Sequence, residues 1–253
     1  MSSKPSLSLD QVQEYADERI TRFYHQRTKL LQDLTLQELL EDNFCLFSPM
    51  HLLAGDIVEG LLDAFLCSSG ERLFQDFLRD LSLLVTEKAY GGYKSTMPGV
   101  DFEFENNGVH YIVLVQSGLC WGNSSQHKKL AQDLRDAVIR VKQSKSAMRV
   151  EPVLGICYGK TRTNYVKAGY LKVVGQNFWC LISESKDLYT DIIEPIGYRA
   201  KEHNDAFCKQ KDRIVNRFTR QFLDEFCDSM GAIDWVRLVE FNSSNYDLDE
   251  FLS

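Results

Sequence analysis

Residues 98–118 constrain this chain more than any other stretch. Pro98-Gly99-Val100-Asp101 leads into Phe102-Glu103-Phe104-Glu105. Asn106-Asn107-Gly108 follows, and Tyr111-Ile112-Val113-Leu114-Val115-Gln116 runs on to Ser117-Gly118. Aromatic and β-branched residues on either side of an Asn-Gly turn predict a β-hairpin. It opens on a carboxylate and ends on an amide. Because side chains alternate along a strand, Asp101, Glu103 and Glu105 share one face, and Phe102 and Phe104 the other. On the second strand Ile112, Leu114 and Gln116 share a face. If Gln116 turns toward Asp101, Leu114 must do the same.

The flanking segments read mainly as helices. Residues 9–42 carry Val12, Tyr15, Ile20, Phe23, Leu30, Leu34 and Leu39 at three- and four-residue spacing. Ser48-Pro49 marks a break. A second helix over 54–67 has the stripe Ile57, Val58, Leu61, Leu62 and Phe65. Ser68-Ser69-Gly70 punctuates it, and a third helix starts there with Leu73, Phe74, Phe77, Leu78, Leu81 and Leu84 on its apolar face. Gly91-Gly92 and Pro98-Gly99 bracket a mobile loop. After the hairpin, Asn123-Ser124-Ser125 offers caps for a helix of about 125–144, with Leu130, Leu134, Val138 and Val141 inward. Val150 to Tyr158 suits a buried strand. Residues 176–241 are mostly helical, with a long amphipathic segment near 199–228 carrying Phe207, Ile214, Phe218, Phe222 and Phe226. This order predicts an α/β core, a mixed β-sheet flanked by helices, with additional N- and C-terminal helices. At 253 residues and 44% hydrophobic content, one domain over 1–253 can bury a substantial core. Its parts are an N-terminal helical part (1–67), an αβ core (71–160) and a mostly helical C-terminal part (176–253).

The net charge of −7 argues against nucleic acid until it is divided along the chain. Residues 1–126 hold 9 Lys/Arg against 18 Asp/Glu, residues 127–220 hold 19 against 10, and residues 221–253 hold 1 against 8. A basic middle lies between acidic flanks, and a local positive surface is what phosphate contacts require. Seven cysteines without a CxxC pair fit reduced thiols in a cytoplasm. No run approaches a membrane span, and Met1-Ser2-Ser3-Lys4-Pro5 has no apolar leader. Gly155 to Thr161 resembles a phosphate-binding loop, but only three residues separate its glycines where four are needed. The five histidines show neither metal-ligand nor triad spacing.

The hairpin resembles the site strands of nucleases of the PD-(D/E)XK superfamily. In those enzymes an aspartate, a second acid and a lysine two residues later hold Mg²⁺, make a water nucleophilic and stabilise charge on phosphorus. Here Asp101 stands at the aspartate position, Leu114 at the second acid and Gln116 at the lysine. Leucine cannot bind a metal, and glutamine carries no charge. Three substitutes are open. Glu103 lies roughly 6–7 Å along the strand from Asp101 on the same face and offers a ligand. Glu87, ahead of the glycine loop, offers another from the helix side. Lys94 or Lys128 would replace the missing lysine.

A more specific resemblance runs from about residue 45 to residue 244. Ser68-Ser69-Gly70-Glu71, Gly91-Gly92, Lys94-Ser95, Gly99-Val100-Asp101, Ser117-Gly118 and Trp121-Gly122-Asn123-Ser124-Ser125-Gln126 are similar to type II restriction endonucleases of the PmeII-type family. So are Cys157-Tyr158-Gly159-Lys160, Gly175-Gln176 with Phe178-Trp179, Ile193-Glu194-Pro195, and Ile233-Asp234-Trp235. The resemblance implies a restriction-endonuclease-like fold and Mg²⁺-dependent cleavage of double-stranded DNA at short symmetric sites. It also implies a homodimer and a cognate methyltransferase in the same restriction-modification system. Asp101, Gln116 and Glu103 are the implied catalytic residues, and Asp101, Glu103 and Glu87 the metal ligands. DNA contacts fall to Lys94, Ser117, Trp121, Asn123, Ser124, Ser125, Gln126, Lys128 and Lys129. The alternative, carried by Leu114 with Gln116, is a nuclease-fold protein that binds DNA or a protein partner without cutting.

Overall fold

The computed structural model describes residues 8–43, 53–144 and 147–244. The Ser48-Pro49 break lies outside them. Helices α1 (Leu9–Asp33), α2 (Leu36–Asn43) and α3 (Ala54–Tyr90) lead into strands β1 (Tyr93–Lys94), β2 (Phe102–Asn106) and β3 (Val109–Gln116). Then come α4 (Ser124–Ser144), β4 (Arg149–Ile156), β5 (Asn164–Tyr165), β6 (Leu171–Val174), α5 (Gln176–Ser183), α6 (Leu188–Asp191), α7 (Ile193–Phe226) and α8 (Trp235–Ser243). Two compact units emerge: Met1–Phe23 with Leu73–Lys201, and Tyr24–Arg72 with Glu202–Ser253. Helices α1, α3 and α7 lend residues to both. Among the described residues, no helix is long and apolar enough to cross a membrane.

The first unit holds a six-stranded mixed sheet in the order β1-β2-β3-β4-β6-β5, consistent with a restriction-endonuclease-like fold. β1, β2 and β3 run antiparallel, β3, β4 and β6 are parallel, and β5 returns antiparallel on β6. The hairpin forms as its residues demand: Asn107 and Gly108 both take positive φ, 50° and 76°, as a two-residue turn matched to strand twist requires. One sheet face, with Ile112, Leu154, Ile156 and Val174, packs on Leu130, Ala131, Leu134, Ala137 and Val141 of α4. On the other, Phe102, Phe104, Val113, Val115 and Val153 are buried. Tyr90 stacks on Phe104 at 5.0 Å and Phe104 on Tyr111 at 4.7 Å between ring centroids. Phe104, fully buried between them, contributes about 1.5–3 kcal/mol by leaving water.

The second unit is helical. Leu31, Leu39, Ile57, Leu61, Phe207, Ile214, Phe218, Phe222 and Phe226 share one buried cluster. The aromatic stripe of α7 is therefore core.

Four local expectations need correcting. Residues 9–42 are two helices, because Thr35 and Glu38 form a reciprocal capping box. The Thr35 backbone N–H donates to Glu38 Oε2 at 2.9 Å, and the Glu38 backbone N–H to Thr35 Oγ1 at 3.2 Å. Ser68-Ser69-Gly70 does not end a helix. Both serine hydroxyls bond back to the Phe65 carbonyl, at 3.1 and 2.7 Å, and α3 runs through them. The stretch between the glycine pairs is not only loop, since Tyr93 and Lys94 pair with β2. Strands β5 and β6 form where no strand is expected, Leu171-Lys172-Val173-Val174 being too short to show a period.

Gly155 of β4 belongs to packing rather than to a phosphate loop. A Cβ there would meet Phe178 Cε2 at 2.2 Å. Gly155→Ala is expected to lower stability by about 1–3 kcal/mol through overpacking, read as a reduced urea midpoint at unchanged slope. An unchanged midpoint would mean that Phe178 is not seated on this glycine.

Candidate functional site

The hairpin ends unevenly. Phe102 pairs with Val113, and β3 continues three residues further to Gln116. The backbone groups of that overhang facing the β2 side have no strand beside them, and side chains take the place of one. The Asp101 N–H donates to the Val113 carbonyl at 2.9 Å, and Asp101 Oδ2 accepts from the Val115 N–H at 2.7 Å. Gln75 of α3 completes the edge. Its Nε2 donates to the Val115 carbonyl at 2.7 Å and its Oε1 accepts from the Ser117 N–H, much as a peptide unit would. Asp101 therefore lies at the end of the sheet, held in line with its edge.

Arg79, one turn beyond Gln75 on α3, approaches the same carboxylate. Its Nε stands 2.7 Å from Asp101 Oδ1 and its Nη1 2.8 Å from Asp76 Oδ1. The Nε–H is not aimed along the line to Asp101, so that contact is an ion pair rather than a directed hydrogen bond. Asp101, Arg79, Asp76, Asp80 and Lys94 line a cleft of about 320 Å³. Burial pushes the Asp101 carboxyl above its ordinary value. The Arg79 charge and the Val115 N–H pull it down, Asp76 pushes it up again, and Lys94 opposes. Neither Gln75 nor Arg79 figures in the sequence-level reading. Their signal was two polar residues four apart beside the apolar stripe of α3.

The predicted site residues separate. Lys94 lines the same cleft as Asp101. Glu103 does not: it is buried, accepting from Ser95 Oγ at 2.7 Å and Tyr93 Oη at 3.3 Å, and contacting His110 Nε2 at 2.8 Å. Ser95 Oγ also accepts from the Met97 N–H at 3.1 Å, and the Ser95 N–H donates to the Asp101 carbonyl at 3.1 Å. Glu103 thus fastens the loop that carries Asp101. Glu87 is exposed near the end of α3, eight residues or roughly 12 Å of helix beyond Arg79.

Leu114 and Gln116 face the α4 side. With Trp121, Gly122, Gln126, Lys129, Leu130 and Asp133 they line a second cleft, of about 290 Å³. Asn123 and Gln126 act as caps. Asn123 Oδ1 accepts from the N–H groups of Ser125 and Gln126, each at 3.1 Å, and Gln126 Oε1 accepts from the Asn123 N–H at 2.7 Å. Those N–H groups are satisfied from within the chain, which leaves fewer of them for a phosphate. Trp121 packs on His127 at 4.2 Å. Ser124, Ser125, Lys128 and Lys129 are exposed, as are Arg135, Arg140 and Lys142 further along α4. Ser117 is placed by Gln75 and by the Tyr158 N–H, which donates to its carbonyl at 3.0 Å.

The donor set expected for Mg²⁺ does not fit as predicted. Leu114 offers no ligand, Glu103 is committed to Ser95, Tyr93 and His110, and Glu87 lies away along α3. Among the described residues no group of three or more His, Cys, Asp or Glu is gathered as a metal site. Asp101 alone of the three predicted ligands lies at the end of the sheet.

Two outcomes follow from this geometry. Glu103→Ala removes a buried acceptor and strands its donors, so a loss of about 1–3 kcal/mol is expected in chemical denaturation. A change near zero would contradict the fastening role. The raised Asp101 pKa implies that the folded chain holds this proton more tightly than the unfolded one. Its stabilising effect is complete below the ordinary 3.8 and is lost as pH rises through the folded value. The melting temperature of Asp101→Asn should therefore gain on the wild type as pH rises from acid toward neutral. A constant difference across that range would contradict the shift.

No curated protein matches the chain. A protein-family model described as type II restriction endonuclease EcoO109I matches residues 10–204 of the 253. That span includes all of α1 but its first residue, the whole sheet, both clefts and the start of α7. The chain belongs to the type II restriction endonuclease EcoO109I family.

Proposed function

We propose that this protein acts on double-stranded DNA as a sequence-specific, Mg²⁺-dependent endonuclease that hydrolyses phosphodiester bonds. The lineage proposed is the PmeII-type branch of the PD-(D/E)XK nucleases, working as a homodimer in the cytoplasm beside a cognate methyltransferase. The observation that carries the reading is Asp101. A carboxylate is kept at the open end of the sheet although burial raises its pKa, and such a cost is usual at functional sites. The exposed basic residues of α4, Lys128, Lys129, Arg135, Arg140 and Lys142, supply sequence-independent phosphate contacts. Two-fold DNA sites call for two-fold proteins, which supports the dimer.

A second reading has its own observation. Leu114 removes an acid and Gln116 a charge, while Arg79 neutralises Asp101. A protein so altered would bind duplex DNA without cutting it. Incubating unmethylated phage DNA of mixed sequence with Mg²⁺ or Mn²⁺, beside Asp101→Ala, separates the two. Discrete fragments that vanish in the variant are expected. Intact DNA with salt-sensitive retardation would replace this reading with the binding one, and neither cutting nor retardation would sink both.

A further inference from the structure

The cleft floored by Leu114 and Gln116 lies wholly within the sheet-bearing unit and opens to solvent. Its walls are of unlike kinds. Leu114 and Leu130 are apolar, and the half-buried Trp121 adds a ring held by His127 at 4.2 Å. The polar groups are uncommitted. Among the described residues, the side chains of Gln116, Lys129 and Asp133 have no hydrogen-bond or ion-pair partner. Gln126 commits its Oε1 to the Asn123 N–H, and its Nε2 is left over. Asp133, half-buried, is wedged by the loop before Asp101, since a Cβ built on Gly99 would meet its Oδ2 at 2.6 Å. The cleft therefore offers a flat ring, an apolar floor, N–H donors from Gln116, Gln126 and Lys129, and one acceptor-only carboxylate.

We propose that this cleft receives one guanine base turned out of the DNA duplex, so that Gln116 serves recognition rather than hydrolysis. A base edge inside a duplex groove is reached by a protruding side chain, whereas a concave site takes the base only once it has left the stack. At about 290 Å³ the cleft is at the small end for ligand sites, with room for a single base. Trp121 gives the turned-out ring a stacking face. Hydrogen bonding selects the base. A carboxylate only accepts, and guanine alone among the four bases sets two donors side by side for it, N1–H and the N2 amino group. Its O6 and N7 acceptors suit the amide and ammonium donors of the same cleft. This inference rests on the reading that the chain binds duplex DNA, and it names a specificity site within that reading.

The test is fluorescence anisotropy of the full chain with short labelled duplexes in metal-free buffer, which keeps the DNA intact. One central base, guanine, adenine, cytosine or thymine, stands opposite an abasic site, and fully paired DNA is the reference. An unpaired base leaves the stack at little cost, so the recognition sequence need not be known. The unpaired-guanine duplex should bind about tenfold or more tightly than the other three and than paired DNA. In Asp133→Asn the preference for guanine should fall to about twofold or less, and in Trp121→Ala the gain from unpairing should fall for every base. Lys128→Met should weaken all duplexes alike and keep the preference. Each variant is checked for an unchanged melting curve. Equal binding of the four bases, a guanine preference that survives Asp133→Asn, or a gain that survives Trp121→Ala would overturn the proposal. Binding of free dGMP without preference among the duplexes would replace it with a free nucleotide as occupant. A chain that binds paired DNA with no preference refutes the role of the cleft alone, and one that binds no duplex refutes the DNA reading as well.

Discussion

Everything at the candidate site hangs on the end of β3, which outruns its neighbour. Backbone N–H and C=O groups at a buried strand edge need partners, and each one left unmade costs on the order of 1–3 kcal/mol. The chain meets that demand with two side chains, the Asp101 carboxylate and the Gln75 amide. This fixes Asp101 in the line of the sheet and ties α3 to the same corner. Arg79 follows from Gln75 by helical geometry, and the loop from Ser95 to Val100 follows from Asp101 through Glu103 and Ser95. One unfinished edge thus organises a helix, a loop and a carboxylate around a single point.

The same edge separates two electrostatic settings. On the α3 side Asp101 meets a guanidinium already shared with Asp76. On the α4 side the clefted surface offers an amide, an ammonium and a carboxylate around a leucine. Arg79 keeps Asp101 partly compensated, which softens the cost of burying it. A divalent cation would have to compete with that guanidinium for the carboxylate.

Much of this was legible in the residues. The hairpin followed from Asn107-Gly108, the buried strand from Val150 to Tyr158, and the α4 core face from its four-residue spacing, because local chemistry and tertiary packing agree there. Asp101 was placed at the end of the sheet by the same reasoning. Glu103 was not readable. Alternation put it on the face of Asp101, but Tyr93 and His110 come from other strands and Ser95 from the loop after β1, and no period reports their convergence. Asn123 had two uses on paper, cap and DNA contact, and Gln126 had one, DNA contact; backbone satisfaction takes the side-chain carbonyl oxygen of each. The helix through Ser68-Ser69-Gly70 was missed because serine back-bonding leaves no trace in composition. Gln75 and Arg79 were overlooked because a polar pair beside an apolar stripe usually marks a solvated flank.

The leucine at position 114 fits the same logic. Its side chain packs with the cluster formed by Ile112, Leu130, Leu134 and Leu154, so an acid there would give up apolar contacts. The backbone is indifferent to the choice, since the overhanging edge is satisfied by Asp101 and Gln75 whatever side chain stands at 114. A fold that pins Asp101 through main-chain demand leaves position 114 to serve the core, because only Asp101 is part of the sheet edge.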